Sequence, residues 1–386
     1  MGLLQAALIL APPKRRHHAS PTTLSLRGRL SSHFQFAIVR FGGAQHRQDV
    51  AQLAAAGIPL PYGYAAVESR SLSAGALWVR VLGENHAILS GFVINTSMSR
   101  ALPGTLIGRV DRLGRRLHEP LLPNLGAILM ETALAIPRLK RLNLRVFDED
   151  GERRERMLAS LERAGGSLSE RCAWYTRTIV THLDGTVGLE LSSLTKMARY
   201  NIRKFSRSPK FEVRPITNIH YAGRMRELFA STFERTGHTT PAIDMRCRIE
   251  EAIRSTRSRL VGVYFLDRQP PMDLVAFMRA ELHGDHGCYE EGASERSDEF
   301  RGLPLGYPMM IDLLDWTRRA GGTWFDFGGI PAHKSSTNPL LAGITRFKRQ
   351  FSQTELDIAG EAVLRPRPAL DRVARNVRSV VRLVRR

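Results

Sequence analysis

The side chains best placed to do chemistry lie in the second half of the chain. Lys348 stands between Phe347 and Phe351, both expected to be buried. A lysine anchored in this way can hold its ammonium at a fixed point and stabilise an oxyanion as it forms. The plain alternative is one more surface lysine in a basic segment. Glu290 and Glu291 are neighbours on a strand-like run, so alternation sends them to opposite faces. At most one can face a cleft and accept a proton; otherwise each is a solvated carboxylate. Arg199, Arg203 and Lys204 share one face of a basic helix, the second and third following Arg199 by four and five residues. Such a trio suits a phosphorylated ligand, or is merely a solvated helix.

Other chemistries find little support. Cys172, Cys247 and Cys288 are far apart and form no C-x-x-C pair, so neither a zinc site nor a disulfide framework is implied. The histidines lack metal-ligand spacing, and His283 and His286 flank a glycine turn, which reads as loop. No Ser/His/Asp or Cys/His arrangement stands out, so a covalent acyl-enzyme is not favoured. Asp326-Phe327-Gly328 spells the kinase magnesium motif, but no Gly-rich phosphate loop, V-A-I-K or H-R-D precedes it. The better reading is a strand end turning through Gly328-Gly329, with Asp326 orienting the loop.

The elements that must position these residues repeat in order. At 386 residues the chain is long enough for two domains. Residues 1–50 read as a disordered or irregular leader, with at most one short strand at 34–41. A hairpin at 76–94 follows, then a helix at 124–134, a strand at 142–147, a helix at 152–164 and a strand at 172–183. This first lobe spans 51–190. The second, 191–365, runs through a similar series: the basic helix 194–207, a strand at 211–215, helices at 221–236 and 244–255, strands at 260–266, 273–282 and 287–293, a helix at 308–320 and a strand at 324–327. The expectation is an α/β (α+β) protein of two lobes with mixed, mostly antiparallel sheets flanked by helices.

Four segments of the second half carry a resemblance: TKMARYNIRKF at 195–205, YEEGAS at 289–294, WFDFGGI at 324–330 and TRFKRQF at 345–351. Their order resembles the FemAB-like peptidyltransferases, which belong with the GNAT acyltransferases. The likeness covers about 170–365; the first lobe agrees only in layout. It implies two GNAT-like lobes, the first degenerate and the second catalytic, and an acyl or aminoacyl transfer to an amine. It places Lys348 at the acyl centre, and Tyr289 and Phe347 with Arg199, Arg203 and Lys204 around the substrate. Arg301, Gly302 and Gly306 correspond to the phosphate loop of coenzyme-A-using relatives. Pro304 replaces that loop's middle glycine and offers no N–H to a phosphate. Acyl-CoA and aminoacyl-tRNA both remain open as co-substrates, with acyl-CoA preferred because more relatives use it. No bound cofactor or metal is expected. A non-catalytic protein that binds anionic envelope polymers or membranes is the reading from a different class.

The formal net charge is +20, from 57 Lys and Arg against 37 Asp and Glu. Such a field attracts anionic partners: phosphorylated small molecules, acidic lipid surfaces or RNA. The resemblance implies a small-molecule or lipid-linked acceptor and leaves tRNA open, with no DNA partner expected. At 366–386, Leu370, Val373, Val377, Val381 and Val384 line one helical face and arginines fill the rest. That basic amphipathic helix suits an anionic membrane surface or packing on the catalytic lobe. The expected location is the cytoplasm, with a peripheral place on the inner face of the membrane left open.

Overall fold

Alternating apolar runs in each half pair into a sheet of their own. The computed structural model describes residues 24–26, 34–56, 75–83, 86–99, 102–114, 117–169, 176–183, 194–235, 239–241, 243–330, 339–373 and 376. The first half holds β1 (Leu24–Leu26), β2 (Gln35–Arg40), α1 (Ala44–Ala55), β3 (Ala76–Leu82), β4 (Ile88–Met98), β5 (Leu106–Gly114), α2 (Leu125–Ala135), β6 (Leu139–Phe147), α3 (Gly151–Arg163) and β7 (Ser167–Leu168). The second holds β8 (Arg177–His182), α4 (Lys196–Ser206), β9 (Phe211–Pro215), α5 (Ala222–Arg235), α6 (Met245–Arg254), β10 (Ser258–Phe265), β11 (Leu274–His283) and β12 (His286–Ser294). It continues with α7 (Gly306–Arg319), β13 (Trp324–Ile330), α8 (Pro339–Lys348), β14 (Thr354–Asp357) and β15 (Ala359–Leu364).

The first sheet has the order β1-β2-β3-β4-β5-β6-β15-β7, and the second β14-β8-β13-β12-β11-β10-β9. Pairing is antiparallel except for β5 with β6 and β12 with β13. Each parallel pair is joined by a helix, α2 or α7, that returns across its sheet. Local chemistry sets the helix starts. Asp150, Thr195 and Asp244 each accept from backbone N–H groups in the first turn of α3, α4 and α6. In α2, Gly126 lets the helix lie against α3; a Cβ there would meet the Ser160 carbonyl oxygen at 2.0 Å.

Three boundaries differ from those drawn on sequence. The short strand expected at 34–41 forms as β2 and pairs along its whole length with β3, but 44–50, inside the expected leader, form the start of α1. Strand β8, assigned to the first lobe, lies inside the second sheet between β13 and β14, and β15, assigned to the second, lies inside the first sheet between β6 and β7. Alternation reveals a strand but not its partner, so chain order was a poor guide at both points. Of the C-terminal helix only its start, 368–373 and residue 376, is described. Asp371 is buried there beneath Arg141 and Arg365, while Val373 is exposed. The remaining positions of its Val face lie outside the described residues. No helix among the described residues is long and apolar enough to cross a membrane.

One side chain crosses between the sheets and is held by charge. Arg112 bulges out of β5 with φ +54°, a left-handed conformation uncommon for a non-glycine residue. Its guanidinium reaches the end of β11 and the start of β12. There it donates to Glu290 Oε1 at 2.7 Å and Cys288 Sγ at 3.2 Å, and also to His283 Nε2. Burial, then the charge of Arg112, holds the His283 pKa below its ordinary value, so the imidazole stays neutral and can accept. Around this contact Phe147, Val180, Trp324 and Ile358 form an apolar seam, and His286 stacks on Trp324 with ring centroids 3.3 Å apart. Residue Ile358 ties the sheets together, accepting from Asp148 N at 2.8 Å and donating to Thr176 O at 2.9 Å.

Removing one member of a buried ionic cluster leaves the rest uncompensated. Arg112→Met is therefore expected to lower unfolding stability by about 3–5 kcal/mol in urea denaturation. The double variant with Glu290→Gln should lose clearly less than the sum of the two singles. Strict additivity would show that the contact is not coupled.

Candidate functional site

The two parallel pairs differ in the place that matters. β5 and β6 stay paired to Gly114 opposite Phe147, with a register shift between Val110 and Leu113 that ejects Arg112. β12 and β13 pair only from His286–Cys288 with Trp324–Asp326 and then part. The opening lies beside the N-terminus of α7 and the last turn of α8, and holds a cavity of about 800 Å³. Tyr289 and Gly292 come from β12, Gly329 from β13, Leu305 and Gly306 from the start of α7, and Phe347 and Lys348 from the end of α8.

Lys348 is buried, with only 6% of its surface exposed. Its Nζ donates to the Gly329 carbonyl at 2.7 Å. Burial lowers its pKa to about 8, against the opposing pull of Asp326 and Cys288. Asp326 sits behind it on β13. Its Oδ1 accepts from Gly328 N at 2.6 Å and from the Thr178 hydroxyl, which fixes the turn leaving the strand. Gly328 has φ +79°, and a Cβ there would lie 3.4 Å from Lys348 Nζ. Oδ2 of Asp326 is buried without a hydrogen-bond partner among the described residues. Burial raises the Asp326 pKa, although its hydrogen bonds and the charges of Arg112 and Lys348 oppose the rise. The lysine thus lines the cleft with the buried Asp326 carboxyl behind it.

The cleft gathers only some of the residues singled out on sequence. Tyr289, Phe347, Lys348 and Gly306 line it; Glu290 and Glu291 do not. A bulge between Arg279 and Ala280 sets Arg279 opposite Glu291 and Ala280 opposite Tyr289, so Glu290 is the extra residue. It turns toward Arg112. Burial pushes the Glu290 pKa up, but the charge of Arg112 outweighs it and holds the carboxyl well below the usual range. Glu291 accepts from Arg279 at 2.8 Å and pairs with Arg248 at 3.1 Å. Neither is placed to take a proton in the cleft, because each neutralises a cation outside it.

The basic helix also stands apart from the cavity. Arg199 donates to the Leu194 carbonyl at 2.8 Å, Arg203 is exposed, and Lys204 donates to the Gly302 carbonyl at 3.1 Å. Arg301 is exposed and pairs with Asp298, so neither it nor Gly302 lines the cavity. His283 and His286, read as loop residues, are buried strand ends. Glu281, His283 and Glu290 bring potential metal-ligand atoms within 4.8 Å of one another, but the Arg112 guanidinium already lies against His283 and Glu290. Sequence reasoning missed Met278, Met309 and Met310 in the cavity wall and Arg235 and Arg296 at its edge. The methionines carried only the generic signal of core positions. Arg296 follows the YEEGAS segment by two residues and could have been noticed there.

No family model and no curated protein matches the sequence. Solved structures do. The chain is similar to FemX at 15% identity, over 85% of this chain and 98% of that one, with a TM-score of 0.64. This is a FemAB-like, GNAT-related fold. A tandem GNAT protein from the clavulanic acid biosynthesis pathway is similar over 87% of this chain and 99% of its own, at 15% identity and a TM-score of 0.46. L-PGS from Bacillus licheniformis is similar over 88% and 97%, at 14% identity and a TM-score of 0.46. In this chain the second lobe carries the open cleft.

The charge of Asp326 supports the protonated form of Lys348. In the Asp326→Asn variant that support is gone, and the titration midpoint of Lys348 should move down from about 8. NMR of protein labelled at lysine Cε reads this directly. An unmoved midpoint would mean that the two groups do not sense each other.

Proposed function

We propose that the protein is an N-acyltransferase in which an acceptor amine attacks the acyl carbon of a donor held between β12 and β13. The observation that carries this reading is Lys348, a buried ammonium that lines the parted strands. In the reaction the amine nitrogen forms a C–N bond with the carbonyl carbon, whose oxygen becomes an oxyanion facing Lys348. As the carbonyl re-forms, the C–S bond of a thioester donor breaks and the thiol leaves with a proton. The proton lost by the amine passes to water, since Glu290 and Glu291 are engaged elsewhere. Fixed geometry and charge stabilisation at the oxyanion supply the catalysis, with no covalent enzyme intermediate.

Acyl-CoA is the donor this reading favours. The start of α7 contributes Leu305 and Gly306 to the cavity, and a helix N-terminus favours a phosphate, although Pro304 offers it no N–H. An aminoacyl-tRNA would bring an ammonium into a cleft that already holds Lys348. The acceptor would be an amine of a small molecule or a lipid-linked envelope precursor. Peripheral membrane attachment through 368–386 belongs to the same proposal.

Lys348→Met should lower turnover by about 10²–10³-fold, with little change in KM. Because burial of an ammonium is costly, the same variant should melt at a higher temperature than the parent. A rate within a few-fold of the parent in the folded variant would remove Lys348 from the mechanism. The ammonium form is needed, so activity should fall as pH rises through about 8, the Lys348 pKa. In Lys348→Arg, whose guanidinium keeps its charge, that alkaline fall should vanish from whatever activity remains.

A further inference from the structure

The edge of the cleft holds two neighbouring cations. Arg235, in the last turn of α5, and Arg296, two residues beyond β12, both border the 800 Å³ cavity. They also border a smaller hollow of about 410 Å³, so the two spaces meet at this pair. Both side chains reach solvent, yet enough protein crowds Arg296, with Arg235 beside it, to pull its pKa below the ordinary arginine value. Among the described residues neither arginine has a carboxylate within salt-bridge reach. The nearby acids are engaged: Glu295 binds Arg224 and Arg268, and Glu227 binds Arg224. Among the described residues, some arginines of the same lobe are matched, as in Arg259 with Asp312 and Arg248 with Glu251, while others such as Arg203 and Arg346 are not, so it is the place of this pair at the cavity that sets it apart. Like charges set side by side raise the free energy unless an anion lies between them.

Behind the pair the cavity changes character. Ile344 and Phe347 offer it open apolar surface, backed by Leu305 and the nearly buried Met278, Met309 and Met310. Methionine is unbranched and polarisable, so such walls adapt to flexible chains. An acetyl group would leave most of this surface facing water. A longer aliphatic chain would cover it, each methylene strengthening binding by roughly fourfold where it is fully buried.

We propose that the cleft takes an amphiphilic acyl donor, with an aliphatic chain of medium or greater length against the methionine walls and a phosphate of its carrier clamped between Arg235 and Arg296. This rests on the acyltransfer reading and adds to it the class of acyl group and the residues that select it. The phosphate sets the register of the donor, and the chain supplies most of its affinity. Lys348 lies on the wall that the two parts share.

Calorimetric titration of the full chain tests this with coenzyme A, acetyl-, octanoyl- and dodecanoyl-CoA, and free dodecanoic acid. Affinity should climb at least tenfold from acetyl to dodecanoyl. The double variant Arg235→Met with Arg296→Met, at exposed positions outside the core, should weaken every CoA ligand by tenfold or more while preserving the ratio between dodecanoyl and acetyl. Equal affinity for acetyl- and dodecanoyl-CoA overturns the chain assignment, and unchanged affinity in the double variant overturns the clamp. Dodecanoic acid binding as tightly as its thioester would also overturn the clamp, since the anion would then be a carboxylate. Transfer to a panel of amines separates this from the parent reading. Length-dependent binding without any acylated amine defeats acyltransfer and leaves the cleft assignment standing. Acetyl transfer as efficient as dodecanoyl transfer does the reverse.

Discussion

A guanidinium cannot remain unpaired inside a protein, and much of this molecule is arranged around that requirement at Arg112. The residue leaves β5 in a strained backbone conformation and crosses into the second lobe. There it meets Glu290 and a neutral His283, next to a second buried network in which Arg279 and Arg248 face Glu251, Glu281 and Glu291. The geometry of β12 follows from these contacts. The bulge that turns Glu290 toward Arg112 also sets Tyr289 and Gly292 against the cleft. Two glutamates that look like candidate bases are thereby committed to holding the lobes and the strand in place.

The two halves use the same parallel pair for opposite ends. In the first lobe the pair stays closed, and its irregularity exports an arginine. In the second it opens after three residue pairs, and the gap becomes a cavity with a buried lysine on its wall. The first lobe therefore acts as a buttress. Its contribution is mechanical and electrostatic, delivered through one side chain and the apolar seam of Phe147, Val180, Trp324 and Ile358.

The fold class and element order were legible because alternation and 3.6-residue periodicity are local properties. The four segments pointing to a FemAB-like fold were legible for the same reason. Lys348 could be singled out because flanking phenylalanines announce an anchored lysine. Partners were not legible. Nothing local to 177–182 or 359–364 tells which sheet each strand joins, and both were assigned by chain order to the wrong one. The roles of Glu290 and Glu291 depended on a bulge and on Arg112, 178 residues from Glu290. Arg235 and Arg296 became visible only as a pair, because each alone is an ordinary surface arginine in a very basic chain.

The return of β15 to the first sheet bears on how the protein is made. β15 fills the place between β6 and β7, pairing with β6 from Ala359 opposite Phe147 to Leu364 opposite Leu142. On the ribosome, β6 emerges long before its neighbour, and its hydrogen-bonding edge stays open while the whole second lobe is synthesised. The amino-terminal lobe therefore cannot complete its sheet as an independent unit, and cutting the gene between β7 and β8 would leave it without β15, which the second half carries. β15 is a late closing stitch, so a chain truncated before 359 would expose the edge of β6 rather than yield a smaller working protein.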